Sequence, residues 1–493
     1  MGRDDVQVVW FKRDLRVRDH EPLVRAAQAG PVLPLVIIEP ALLARPAIDP
    51  AHTAWWLACA TELAAELAAL GAPLVVRRGD AVEVFADLAR RHRVAAVWAH
   101  EEHGDLATFD RDRAVRRWGR EARIPIHELP EAGVHRGPHD RDTWGRRFAS
   151  YLDTPGRRPP ERLRAVVGIE PGALPHVRAL HPESSPREAW LPDAGSDGAT
   201  RILGSFVAGR ARGYERAVSS PTRAWSTGSR LSAHLAVGTI STRQVVQRSR
   251  RARGQLTSVG ADAELAASLG AFEERLAWRS HFIQRLEDEP DMERHSLLAP
   301  ADDLRRSVRE PWLEAWRTGR TGWPMVDASI RSVQATGWLN FRMRAMLVSV
   351  ATYHLWLPWE AIVDDLARWF LDLEWGIHVS QVQMQAGATG IARVRIYDPV
   401  KQGHDHDPDG RFVRRWVPEL AAVDDRFIHE PWTAPDPPAG YPTPIVDHRA
   451  AAAEARRRMA VFNDRPEVQR AARAVLDRHG SRRPALERRG GRS

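Results

Sequence analysis

The chain has 493 residues, 28% of them charged and 43% hydrophobic, with a formal net charge of +8; that length accommodates two or more domains with separate cores. Its single cysteine, Cys59, excludes a disulfide framework, a cysteine-based zinc site and a cysteine-held iron–sulfur cluster, and no metal is expected. The positive excess favours a polyanionic partner such as nucleic acid, although an arginine-rich background gives the same sum.

From Val6, VQVVWF is a short apolar run that ends in charged KRDLRVRDH, the profile of a buried parallel strand with polar groups at its carboxyl end. The amino terminus turns charged at once and no run has the length of a membrane span, so no membrane partner and a cytoplasmic location are expected. VLPLVII (32–38), PLVVR (73–77), VAAVW (94–98) and PIHEL (125–129) repeat the strand profile. Helical stretches such as TAWWLACATELAAELAALG, capped by Gly71, lie between them. Strand and helix alternating over residues 1–130 predict a doubly wound parallel sheet, an α/β domain whose ligands sit at the carboxyl ends of the strands. Arg13 and Asp14 stand at such an end, where an ion pair and a ligand contact both fit.

Residues 131–199 are rich in Pro, Gly and Arg and read as an inter-domain linker with little regular structure. In 209–244, hydroxyls and glycines precede an apolar run, a helix start whose free N–H groups suit phosphate; a capped helix without a ligand has the same pattern. Over 200–475 apolar residues recur at helical spacing, most plainly at Val326, Ile330 and Val333 and then at Leu339, Met343, Met346, Leu347 and Val350. An all-helical (all-α) second domain is therefore predicted. Arg342, Arg344, Asp372, Glu374 and His378 interrupt these helices. Such charges are either paired inside against something polar or carried on an exposed face, and spacing does not decide between the two. Nineteen tryptophans beside five tyrosines suit stacking or electron transfer as well as core packing. Residues 476–493 read as a disordered basic tail.

TGWPMVDASIRSVQATGW, the Arg342-x-Arg344 that follows, Asp372 with Glu374, and RIYDPVKQ followed by DPDGRFVRRWVPEL stand in this order. Together they resemble the flavin-binding core of the DNA photolyase and cryptochrome family, outside its iron–sulfur branch; WFKRDLRVRDH is similar to the family's amino-terminal signature. The resemblance implies FAD in the helical domain. It also implies a second, antenna chromophore, a folate or a deazaflavin, to which no residue is assigned. The flavin contacts it implies are Tyr214, Ser229, Leu231, Ser232, Arg279, Phe341, Arg344, Asp372, Glu374 and His378, with Gly228 where the family has a threonine. Arg344 and Asp372 match an ion pair beside the isoalloxazine ring, and His378 falls at the position facing flavin N5, where a titrating imidazole could donate a proton.

The implied activity is that of a deoxyribodipyrimidine photolyase, a monomer that splits pyrimidine dimers in damaged DNA by electron transfer from light-excited, reduced FAD. His378, Trp278, Glu274 and Trp359 are the implied catalytic residues. Arg275, Trp278, Arg342, Met384, Gln385, Lys401, Arg411 and Arg414 are the implied DNA contacts. The chain departs from the family's pattern at Arg275, where an acid is usual, and at Phe341, His378, Val382 and Met384. Val382 removes the tryptophan nearest the flavin in the usual electron path, of which Trp359 is the middle member and Trp312 or Trp316 the outer one; Trp338, Trp356, Trp369 or Trp375 then offer a detour. The same departures suit a cryptochrome-type blue-light receptor, which is the alternative to repair.

Overall fold

The computed structural model describes residues 5–137, 140–183, 191–258, 260 and 262–480. Five parallel strands form one sheet: β1 (Val6–Phe11), β2 (Val32–Ile38), β3 (Val75–Arg78), β4 (Val94–His100) and β5 (Ile126–Leu129), in the order β3-β2-β1-β4-β5. Each lies where an apolar run predicted it. β1 is central and buried along its whole length, which is why its sequence is continuously apolar rather than alternating. Its side chains still divide by parity. Val9 and Phe11 join Trp55, Cys59 and Leu63 of the helix Pro50–Ala69, whereas Val6, Val8 and Trp10 join Phe85 and Val115 of the helices Ala81–Arg91 and Leu106–Ala122. The chain thus covers one face, returns to the centre and covers the other, and the strand order reverses beside β1, where such sheets place ligands.

The second domain is helical and has two cores. One gathers Trp323, Ile330, Met343, Leu347, Ile362 and Val382 from the helices Pro324–Thr336, Phe341–Ser349, Glu360–Trp369 and Trp375–Ala386. The other gathers Phe206, Tyr214, Leu231, Val245 and Phe272 around the helices Thr242–Ser258 and Ala263–Asp288. The two meet where Gly376 faces Ile283: a Cβ at Gly376 would lie 2.5 Å from Ile283 Cα, so only glycine permits this helix crossing. Fully burying one Leu, Ile or Phe in such a core is worth about 1.5–3 kcal/mol.

The linker differs from expectation. It contains the helix Arg141–Asp153, whose Trp144, Phe148 and Leu152 are buried in the second helical core, and the helix Gly195–Ser205 crosses the boundary expected at 199. The spacing of those three apolar residues is helical, and surrounding Arg and Asp masked it. The expected tail falls on residues 476–493; positions up to His479 complete the helix Pro466–His479, and 481–493 lie outside the described residues. Among the described residues no helix is long and apolar enough to cross a membrane.

Arg13 and Asp14 do not pair with each other. Arg13 Nε and Nη2 donate to the carbonyls of Ala236 (2.8 Å) and Leu373 (2.7 Å), fastening the sheet domain to the helical one. Asp14 Oδ2 instead accepts from His20 Nε2 (2.9 Å) and His100 Nδ1 (2.8 Å), and His20 Nδ1 takes the Leu23 N–H, so this buried cluster satisfies itself.

Candidate functional site

The helix Phe341–Ser349 is held at its start by Asn340, whose Nδ2 donates to the carbonyls of Val218 (3.1 Å) and Ser219 (3.0 Å). Arg344, one turn in, donates from Nε to Leu339 O (2.7 Å) and from Nη2 to Asp372 Oδ2 (2.9 Å). Its guanidinium lies over the Phe370 ring, 4.0 Å from the ring centre, a cation–π contact. Asp372 sits in the turn between the helices Glu360–Trp369 and Trp375–Ala386. Its second oxygen, Oδ1, is buried and accepts no hydrogen bond. An open carboxylate oxygen in that position is costly unless a ligand donor fills it. The imide N–H of a flavin is such a donor, so Arg344 and Asp372 fit the cofactor that the resemblance implies.

Glu374, two residues on, accepts from Arg279 Nη2 at 2.7 Å and stands 3.7 Å from Arg13 Nη1, while Arg279 also donates to Leu235 O (3.0 Å). Arg13 is the neighbour that sequence reasoning did not connect to this site. Tyr214 is buried against Phe206 and Phe272, with ring centroids 5.8 and 6.1 Å away; burial raises its phenol, opposed by Arg275. Ser229 Oγ accepts the Leu231 N–H at 3.4 Å, Leu231 is fully buried, and Ser232 opens the short helix Ser232–Val237. Glu274 and Arg275 are exposed. Trp278 and Phe341 are large apolar side chains left 42% and 45% exposed, surfaces that a planar ligand could cover.

His378 differs from the expectation of a titrating proton donor. Its Nε2 donates to Val363 O at 2.8 Å, so that nitrogen carries the proton and is committed to backbone. Burial pushes the ring down to about 4, which keeps it neutral at pH 7. Trp359 is buried and donates to Ser296 Oγ at 3.1 Å, and Val382 is a buried residue of the helical core. Trp316 and Trp369 form a separate indole pair, with centroids 5.2 Å apart; Trp369 directly precedes the Phe370 on which Arg344 rests.

Of the expected DNA contacts, Lys401 and Arg411 are exposed, with Asp405 at 2.8 Å and Asp409 at 3.7 Å respectively. Arg342 is half-buried, with its Nε buried and unbonded. Arg414 is turned inward instead, donating to Val423 O (2.8 Å) and Asp425 Oδ1 (2.6 Å); its guanidinium braces the loop after its own helix. Met384 is half-buried, and Gln385 is buried with its Nε2 3.5 Å from Gln381 Oε1.

A second cavity of about 210 Å³ opens at the carboxyl ends of β1 and β2, where Phe11, Ile38 and Trp56 face Val237, Leu371 and Trp375 of the helical domain. Glu39, on its wall, has its carboxyl pushed up to about 7 by burial, against the pull of Arg111.

Residues 7–139 match the family described as DNA photolyase, and residues 272–461 match the FAD binding domain of DNA photolyase. The deoxyribodipyrimidine photo-lyase of Streptomyces griseus is 32% identical over 471 residues, covering 90% of this chain and 96% of the relative. That of Thermus thermophilus is 30% identical over 420 residues, covering 84% and 92%. Cryptochrome-1 of Arabidopsis thaliana is 27% identical over 90% of this chain and 69% of its own length. Among solved structures, a class III photolyase from Agrobacterium tumefaciens is similar with a TM-score of 0.81 at 26% identity, covering 94% of this chain and 99% of that one.

Proposed function

The chain belongs to the DNA photolyase family, and from that premise we propose that it is a deoxyribodipyrimidine photolyase, splitting pyrimidine dimers in DNA under light with FAD as its cofactor. The observation that carries the reading is Asp372, with one oxygen on Arg344 and the other buried and open. When bound, reduced FAD supplies the light-excited electron. Arg344 sets a fixed positive charge in a site of low dielectric, which favours an electron-rich ring beside it. Asp372 orients that arginine and offers Oδ1 to a donor. Tyr214 and the 229–232 turn hold the distal part of the cofactor, and neutral His378 lends packing and shape rather than a proton.

A dimer inside a duplex must be turned out of the stack, which costs a few kcal/mol, less because the lesion already weakens pairing. Trp278 and Phe341 offer apolar surface for it, at roughly 1–3 kcal/mol for each stacked base. Lys401, Arg411 and Arg342 hold the backbone phosphates. The protein works as a monomer on this reading, and the cavity between the domains takes the antenna chromophore.

Val382 and Met384 stand where indoles would be expected, and this favours the second reading, a blue-light receptor. One experiment separates them: reduced protein is illuminated with dimer-containing DNA, and dimers are counted before and after. Loss of dimers that requires both light and reduced flavin supports repair; unchanged dimers leave the receptor.

A further inference from the structure

A third cavity, of about 250 Å³, lies on the helical domain, away from the cleft between the domains. Trp225, Trp338 and Trp416 line it together with Arg411, Arg415 and Thr222, and no acidic residue does. Trp225 and Trp338 meet edge to face at 5.2 Å, and Trp225 is left 38% exposed. Arg415 lies over Trp416 at 5.2 Å from the ring centre, and among the described residues no carboxylate pairs with it. Three indoles in a cleft bordered by guanidinium groups present π-faces for a planar base and charge for the phosphate beside it.

The cleft is built on the loop that leads into the helix carrying Arg344. Thr336 Oγ1 donates to Trp338 O at 3.0 Å, Leu339 O accepts Arg344 Nε at 2.7 Å, and Asn340 ties the loop to Val218 and Ser219, shortly before Trp225. Its shape is therefore set before any ligand arrives, which lowers the ordering cost of binding.

We propose that the Trp225–Trp338–Trp416 cleft is a second base-stacking subsite, which takes one unpaired nucleobase of the DNA strand flanking the lesion and sets its phosphate on Arg411 and Arg415. The identity of that strand rests on the photolyase reading. Because every base has a π-face, the subsite favours opened or single-stranded DNA without reading its sequence.

The test uses FAD-loaded protein, wild type and Trp225→Ala, with five probes: a single-stranded oligonucleotide bearing one thymine dimer, the same strand with flanking bases removed one at a time, the bare dimer dinucleotide, an undamaged single strand and a free nucleoside monophosphate. Trp225→Ala weakens binding of the oligonucleotide about thirtyfold, the middle of the range for one stacked base, and leaves the bare dimer unaffected. Removing the base at one flanking position costs the wild type as much and costs the variant nothing, and Trp225→Phe restores most of the affinity. Equal binding by wild type and variant overturns the proposal, as does equal weakening on oligonucleotide and bare dimer. A free nucleoside monophosphate that binds more tightly than the oligonucleotide also overturns it. Trp225-dependent binding of undamaged single strands with no repair of any dimer leaves the subsite standing and removes the photolyase reading. Repair with binding independent of Trp225 does the reverse.

Discussion

Arg344 and Asp372 meet at 2.9 Å through one carboxylate oxygen, and the other is buried and open. Replacing Asp372 by Asn keeps the shape, removes the charge and turns one acceptor into a donor aimed at Arg344 or at the ligand. The charge-assisted bond lost is worth about 2 kcal/mol, so Asp372→Asn is expected to release FAD on gel filtration under conditions where the wild type retains it. Flavin absorbance per mole of protein measures this directly. Equal retention would show that the pair does not touch the cofactor.

Burial holds His20, His234, His354, His378 and His429 each down to about 4. Each ring is neutral when folded and takes up a proton near pH 6.5 when unfolded, so the unfolded state binds more protons between these values. Stability is then fully present above about pH 6.5 and is lost as pH falls toward 4. Asp327 and Glu39, pushed up by burial to about 6 and about 7, act in the opposite direction, but these two carboxyls do not offset five rings. Replacing His378 by Gln should lower the slope of unfolding free energy against pH by up to about 1.4 kcal/mol per pH unit in this window. Denaturant titrations at several pH values read that slope, and an unchanged slope would mean that His378 is charged in the folded protein.

Trp316 and Trp369 lie with ring centroids 5.2 Å apart and planes tilted by 31°, and Trp369 is next in sequence to Phe370 beneath Arg344. Trp359 and Val382 both lie in the helical core, and by the family resemblance valine stands where the next indole of the usual path would be. Light-driven reduction of the flavin by an external thiol should therefore slow by an order of magnitude in Trp369→Phe and change little in Trp359→Phe. The opposite ranking would return the electron path to Trp359.

The strands were legible because a central parallel strand is buried on both faces, so VQVVWF and VLPLVII could hardly be anything else. Arg344, Asp372 and Glu374 were legible as charges interrupting an apolar, helix-like pattern, but Asp372 and Glu374 stand in the turn before the helix Trp375–Ala386 rather than within one, and spacing left their partners open. Their bonding depends on Leu339 O, Phe370 and Arg13, which come from different elements. The direction of the His378 ring was not legible at all: the same helix position allows Nε2 to reach Val363 O or to face a ligand, and only the packed neighbours decide. The Trp225, Trp338 and Trp416 cleft joins residues nearly two hundred positions apart, and no local pattern announces it.

Arg411 and Arg414 are three residues apart on the short helix Arg411–Trp416, yet they are used differently. Arg411 projects into solvent with only a 3.7 Å approach to Asp409, whereas the guanidinium of Arg414 is taken by Val423 O and Asp425. Each phosphate contact on duplex DNA contributes about 0.9 to the slope of log affinity against log salt. Arg411→Ala should therefore lower that slope by roughly 0.9 on a damaged duplex. Arg414→Ala should leave the slope unchanged and lower thermal stability, because it leaves Asp425 without its partner and frees the carbonyls of Asp409 and Val423. Binding measured across a salt series, with melting curves for both variants, separates the two roles. A loss of slope in Arg414→Ala without a loss of stability would mean that Arg414 leaves Asp425 to meet the phosphate when DNA is bound.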